Sequence, residues 1–291
     1  MSAVGRGRTG GLRAPVLLAP AGLWYLAFFV VPLGFILVFS FLTSADYGGV
    51  EFRFSLENYH QLASATIFLR IFLNTLLMAL SGTVLCLLIG YPLAYFLATR
   101  AGRWKSLFLV LLIVPFWTSF LTRTYAWLIL LSDNGPLAHL LQQAGVLQKD
   151  LNFLYSYKAV LLGIVYNYLP LMIFPLYVSL ERMDRRLLEA AKDLGAGRIA
   201  AFRRVTVPLT MPGILTGGLL VFIPLMGEYV IPSILGGAKS YMVGNLIGNE
   251  FVSAHDWAFG SALGMTVIAL LIILIVVYFR VARGNATEAA L

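Results

Sequence analysis

Residues 181–212 read ERMDRRLLEAAKDLGAGRIAAFRRVTVPLTMP, a polar segment lying between two long apolar runs. Seven basic side chains are strung along it: Arg182, Arg185, Arg186, Lys192, Arg198, Arg203 and Arg204. A loop this basic beside membrane spans faces the cytoplasm. Its pattern is that of folded structure. Leu187, Leu188, Ala191 and Leu194 recur at helical spacing, and Gly195 and Gly197 interrupt the helix. A second apolar stripe (Ile199, Phe202, Val205) then leads up to Pro208. A structured knob of this kind on a membrane protein is a place for another component to dock.

The runs on either side set the class. Of 291 residues, 60% are hydrophobic and only 12% charged. Soluble domains carry about a quarter charged residues, so this is an integral membrane protein. A spanning helix needs about 20 apolar residues. Six spans are expected, near 16–42, 69–98, 106–131, 158–180, 213–235 and 257–280. The expected fold class is all-α: a polytopic membrane protein with six transmembrane helices. A tail over 1–13 precedes one membrane domain over 14–280, which contains the 181–212 loop, and a tail over 281–291 follows. The first apolar run exceeds the roughly 7–15 residues of a signal-peptide core and lacks a small-residue cleavage site, so it is expected to remain as the first span.

Charge fixes the orientation. Arg6, Arg8, Arg13, Arg100, Arg103, Lys105, the knob, Arg280 and Arg283 fall on one side. The other side holds Arg53, Arg70, Lys149, Lys158 and Lys239. Both termini are therefore expected in the cytoplasm, as an even number of spans requires. The net charge of +8 is spread by loop and reads as topology, not as a nucleic-acid surface. The lone Cys86 lies in an apolar run and allows no disulfide within the chain.

Two ionisable residues fall inside apolar runs, Arg123 in the third and Glu228 in the fifth. Each costs roughly 2.5–3.5 kcal/mol at a helix centre. They either pair with one another as a structural stitch or line a path for a charged solute. Trp117, Tyr125 and Trp127 in the third run, and Tyr166 and Tyr168 in the fourth, form an interfacial belt or an aromatic lining for an organic cation. Pro32, Pro92, Pro115, Pro170, Pro175 and Pro224 are simple bends or the joints of an adjustable pore. Enzyme chemistry finds no support. His60, His139 and His255 lie in or beside different outer loops without partners at metal-site spacing. Gly260-Ser261-Ala262-Leu263-Gly264 has its serine in the wrong place for a nucleophile elbow and reads as small residues for close helix packing. Gly236-Gly237-Ala238-Lys239-Ser240 lacks the Gly-Lys step of a phosphate loop. No metal, cofactor or nucleotide site is expected.

The knob carries a named pattern. Glu189-Ala190-Ala191, three residues, Gly195, nine residues, then Val205-Thr206-Val207-Pro208 resembles the EAA signature of permease subunits in bacterial ATP-binding-cassette (ABC) importers, with valine at both apolar positions of its Ile-x-Leu-Pro ending. Asn74-Thr75-Leu76, Gly90-Tyr91-Pro92-Leu93-Ala94-Tyr95, Gly227-Glu228-Tyr229-Val230-Ile231-Pro232 and Asp256-Trp257 extend the resemblance, the later ones toward spermidine/putrescine permeases. The resemblance implies the type I importer permease fold in a bacterial inner membrane. It also implies the partners: separate ATPase subunits, a second permease and an external solute-binding protein, with ATP hydrolysed by the partner. It assigns ATPase docking to Glu189, Ala190, Ala191, Asp193, Leu194, Gly195 and Phe202. Glu228 heads the solute-path candidates, followed by Tyr229, Arg123, Trp117 and Tyr125. Arg185 and Glu189, four apart, are placed to brace the knob helix, and its arginines also suit anionic lipid. Permeases for opines, amino-acid derivatives, phosphonates or iron chelates share parts of this pattern. A stand-alone secondary transporter would not need the knob and commonly shows inverted repeats, of which none is visible.

Overall fold

Hydrocarbon offers no hydrogen-bond partner to a backbone, so the apolar runs wind into helices. The structure, a computed structural model, describes residues 13–45, 48–145 and 152–288. Its helices are, in chain order, α1 (Leu18–Phe39), α2 (Glu57–Ser64), α3 (Thr66–Thr99), α4 (Gly102–Trp117), α5 (Phe120–Leu131) and α6 (Pro136–Gln143). They continue as α7 (Tyr157–Arg182), α8 (Arg185–Asp193), α9 (Arg198–Leu209), α10 (Met211–Met226), α11 (Val243–Asn249) and α12 (Trp257–Glu288). Among the described residues, four helices are long and apolar enough to cross a membrane, or up to six if each of two bent pairs is one span. The expected N-terminal tail before Arg13, and Lys149, lie outside the described residues.

One compact unit comprises the described residues up to Ser64 and from Asn249 onward. The loop expected at 43–68 holds an antiparallel hairpin, β1 (Leu42–Ser44) with β2 (Val50–Phe54), followed by α2. Asn58 ties α2 back, its Nδ2 donating to the Ser40 and Leu42 carbonyls at 3.3 and 2.9 Å. Asp256 caps α12 by accepting the Phe259 N–H at 2.9 Å, and the same oxygen accepts the Ser44 hydroxyl at 2.6 Å. The Asp256-Trp257 pair is thus a helix start anchored to the hairpin. Burial, and then the charge of Asp256, raises the Glu250 carboxyl above the ordinary carboxylate range. Ser261 and Ala262 are buried, as small residues in a packed seam, but a Cβ at Gly264 would meet nothing within 4 Å. α12 runs on to Glu288, past the point where a tail was expected at 281.

The other unit, Ala65–Gly248, is built on α3, α7 and α10, which pack on one another. Met78, Ile164, Met172, Ile173, Leu176 and Leu225 are fully buried among them. Leu73, Leu77, Leu80, Val84 and Leu88 recur at helical spacing on the opposite, exposed face of α3, a stripe suited to lipid. Bilayers provide no hydrophobic drive between helices, so close backbone approach does the packing. A Cβ at Gly217 would lie 2.8 Å from the Met172 Sδ, and one at Gly213 2.7 Å from the Pro175 carbonyl oxygen. Pro92, Pro170 and Pro175 sit within unbroken helices.

Two expected spans are not straight. The third, 106–131, turns by 91° between Gly102–Trp117 and Phe120–Gln143. Pro115 lies just ahead of the turn, and Thr118 and Ser119 have extended ψ values of 150° and 137°. The fifth, 213–235, stops as an α-helix at Met226 and resumes in a helical turn at Pro232–Gly236. Its N-terminal side is also bent, by 64°, between α9 and α10. Hydropathy averages over such turns because both arms are apolar.

The α7–α10 seam yields a test. Gly217→Leu overpacks it at a cost of about 1–3 kcal/mol or more. The variant should melt several degrees below the parent in detergent, whereas Gly264→Ala, facing open space, should melt with it. Equal melting of Gly217→Leu and the parent would contradict the close approach.

Candidate functional site

The break after α10 needs side chains to replace the lost helical bonds, and Glu228 supplies most of them. Its Oε1 accepts the N–H groups of Val230 and Ile231 at 2.9 and 3.2 Å, and its Oε2 accepts the Tyr168 hydroxyl. The carboxylate therefore caps the helical turn that follows, and only 6% of the residue is exposed. Tyr168 stands roughly 17 Å from the start and 21 Å from the end of α7 at 1.5 Å per residue, so Glu228 sits near mid-span. Asn245 on α11 completes the repair. Its Nδ2 donates to the Tyr229 carbonyl at 3.0 Å and to the Ser233 Oγ at 2.7 Å, while its Oδ1 accepts the Met242 N–H at 3.1 Å.

α11 reaches the break because Gly244 has no side chain: a Cβ there would lie 2.5 Å from the Glu228 carbonyl oxygen. Asn74 and Thr75 on α3 hold the chain entering α11. The Asn74 Nδ2 donates to the Tyr241 carbonyl at 2.9 Å, and the Thr75 Oγ1 accepts the Val243 N–H at 2.9 Å. Asn74-Thr75 is thus a socket for the chain entering α11. The sequence flagged this pair without a role and missed Asn245 altogether. An Asn amid Gly and apolar residues at 243–248 was the available signal.

Arg123 and Glu228 do not pair. Among the described residues the one ion pair joins Lys105 to Glu181. The Arg123 guanidinium instead lies over Phe116 at 4.9 Å and Phe120 at 5.9 Å, one ring from each arm of the 91° turn. Its Nε is buried without a partner. Phe120 meets Tyr168 edge-on at 6.3 Å, and Tyr168 bonds Glu228, so two rings separate the charges. Trp117, Tyr125 and Tyr229 are open, at 83%, 51% and 49% exposure. Trp127 and Tyr166 pack on each other at 5.4 Å.

The knob is α8 and α9. Asp184 caps α8 by accepting the Arg186 N–H at 3.0 Å. At its other end the Gly195 N–H bonds the Lys192 carbonyl at 2.8 Å and the Ala196 N–H bonds the Ala191 carbonyl at 3.0 Å. That is a Schellman closure, and it requires the left-handed φ of +84° that Gly195 adopts. Glu189, Ala190, Asp193 and Leu194 are exposed, Leu194 at 89%, and Ala191 is half-buried. The brace between Arg185 and Glu189 is not made. Arg185 donates to the Ala98 carbonyl at the end of α3, at 2.8 Å, a charge-assisted bond to an otherwise unpaired helix end. Phe202 turns its ring onto Tyr91 and Tyr95 at 5.5 and 6.3 Å, and the Tyr91 hydroxyl bonds the Thr210 Oγ1 at 2.9 Å. Gly90-Tyr91-Pro92-Leu93-Ala94-Tyr95 thereby seats the knob on α3.

Residues 23–284 match the model of the family described as binding-protein-dependent transport system inner membrane component. The chain is 42% identical over 260 residues to the spermidine/putrescine transport system permease protein PotB of Escherichia coli (strain K12), covering 89% of this chain and 94% of that one. It is 41% identical to PotB of Haemophilus influenzae over 257 residues, 88% and 90% of the two chains. In fold it resembles a bacterial alginate ABC transporter solved in complex with an alginate pentasaccharide-bound periplasmic protein, at a TM-score of 0.73, 14% identity and coverage of 94% of each chain.

Glu228→Ala leaves three donors without their acceptor. Hydrogen bonds to a charged group contribute about 1.5–3 kcal/mol each. The variant should lose at least about 2 kcal/mol of stability by denaturation in detergent, and Glu228→Gln, which keeps one acceptor oxygen, should lose less. An unchanged transition for Glu228→Ala would show that the cap does not hold the break.

Proposed function

The chain belongs to the family of binding-protein-dependent transport system inner membrane components, the permeases of ABC importers, and we propose that the solute it passes is a polyamine such as spermidine or putrescine. The observation that carries this reading is the 42% identity, over 89% of the chain, to a permease named for those two solutes. A second permease subunit completes the path, an external solute-binding protein delivers the solute, and two separate ATPase subunits dock on the cytoplasmic knob. Both termini face the cytoplasm, in keeping with the basic loops. The chain performs no covalent chemistry; ATP is hydrolysed by its partner.

The docking surface is the exposed part of α8 and its closure: Glu189, Ala190, Asp193, Leu194 and Gly195, with Ala191 close behind. Phe202 works from the other side, transmitting movement of the knob into α3 through Tyr91 and Tyr95. α3 then carries it about 36 Å, at 1.5 Å per residue, from Ala98 beside Arg185 to Asn74 at the chain entering α11. Asn74 and Thr75 hold Tyr241 and Val243, and Asn245 holds the broken fifth span. Coupling between distant sites needs an element with two arrangements that both sites bias. The break at Gly227–Tyr229 is that element.

Tyr229, Trp117 and Tyr125 offer open π-faces to ammonium groups of the solute. Glu228 is covered in the arrangement described here, and it meets the solute when the break opens and Tyr168 releases it. Arg123 pins the turn in the third span and keeps a positive charge away from the Glu228 side.

Glu228→Gln should lower polyamine uptake into cells or vesicles at least tenfold while the complex with the ATPase still assembles; normal uptake would leave Glu228 a cap and nothing more. Gly195→Asp puts a side chain where φ is left-handed, straining the closure by about 1–2 kcal/mol. That variant should hydrolyse ATP without import or fail to bind the ATPase, and an unchanged ratio of solute imported to ATP consumed would refute the docking role.

A further inference from the structure

Three cations from three different elements surround one cavity of about 320 Å³ under the knob: Arg100 at the end of α3, Lys192 on α8 and Arg198 on α9. Tyr95, Leu188 and Phe202 also line it, and no carboxylate does. Among the described residues none of the three cations forms an ion pair. Like charges held around a small cavity repel unless an anion enters, and an arginine cluster is suited to a phosphate. The cavity also opens where a membrane span ends. Arg100 follows Thr99, the last residue of α3, and the guanidinium of Arg103 lies 5.4 Å from the half-exposed ring of Trp104, an interfacial pairing.

We propose that this cavity takes the phosphate headgroup of an anionic phospholipid. One phosphate reaches all three elements at once and fixes the angle of α8 and α9 against α3. The apolar part of the lining accepts the glycerol end. The exposed docking side chains Glu189, Ala190, Asp193 and Leu194 do not line the cavity, whereas Phe202, which faces Tyr91 and Tyr95, does. The site stands independently of which solute is carried.

The purified transporter complex, stripped of lipid, would be offered equimolar phosphatidylglycerol and phosphatidylcholine, and retained lipid measured by mass spectrometry. Phosphatidylglycerol should be retained preferentially, with affinity falling about fivefold for each cation removed in Arg100→Gln, Lys192→Gln and Arg198→Gln. Melting curves would confirm that each variant is folded. Equal retention by the parent and the triple variant would overturn the proposal. So would thermal stabilisation by inorganic phosphate alone equal to that by phosphatidylglycerol, which would assign the cavity to a soluble anion. Loss of the ATPase from the triple variant with lipid retention unchanged would assign it to a protein partner instead.

Discussion

A backbone polar group left unpaired in hydrocarbon costs several kcal/mol, and this chain breaks the helix of its fifth expected span at Gly227–Tyr229. Everything near the break follows from that cost. The carboxylate of Glu228 accepts two backbone N–H groups and a tyrosine hydroxyl, and the Asn245 amide donates to Tyr229 and Ser233 while its oxygen caps its own helix at Met242. Gly244 exists to let Asn245 come near, and Thr75 and Asn74 to hold the strand of chain that brings it. A span repaired by side chains can be opened by moving them. An unbroken helix, whose bonds are all internal, has no such handle.

The same helix, α3, touches both the knob and the chain entering α11. Near Ala98, Tyr91 and Tyr95 it carries the knob, and near Asn74 and Thr75 it carries the chain entering α11. Its tight packing on α7 and α10 through glycine contacts makes it stiff between those points. The knob is itself stiffened, capped by Asp184 and closed at Gly195. Under the proposed coupling, force entering at α8 would meet rigid parts in series, with the compliance at the repaired break.

Much of this was legible in the sequence. The apolar runs gave the first, second and fourth spans to within about three residues, because length and hydropathy decide what can cross a bilayer, but the fifth stops as an α-helix at Met226 and the last helix runs on to Glu288. The knob was legible in outline as a helix, a glycine break and a second apolar stripe, since all of its signals are local. The breaks were not. Both arms of each are apolar, and the groups that make the second one tolerable, Tyr168, Asn245 and Thr75, are far from Glu228 in the chain. Arg123 illustrates the same limit: its charge was visible, but its choice of Phe116 and Phe120 over Glu228 depends on a turn that composition does not encode. Arg185 likewise passes over its near neighbour Glu189 for a carbonyl on another helix.

The central claim is that work done by a separate ATPase enters this chain at α8. Cys86 is buried, so a cysteine introduced at the exposed tip, Leu194→Cys, can be addressed selectively. Cross-linking it in inside-out membrane vesicles, with and without ATP, is the direct measurement. The account predicts a cross-link to the ATPase subunit, formed from the cytoplasmic side and altered in yield by ATP. A cysteine labelled only from the outer face, or one that joins no other polypeptide, would contradict it.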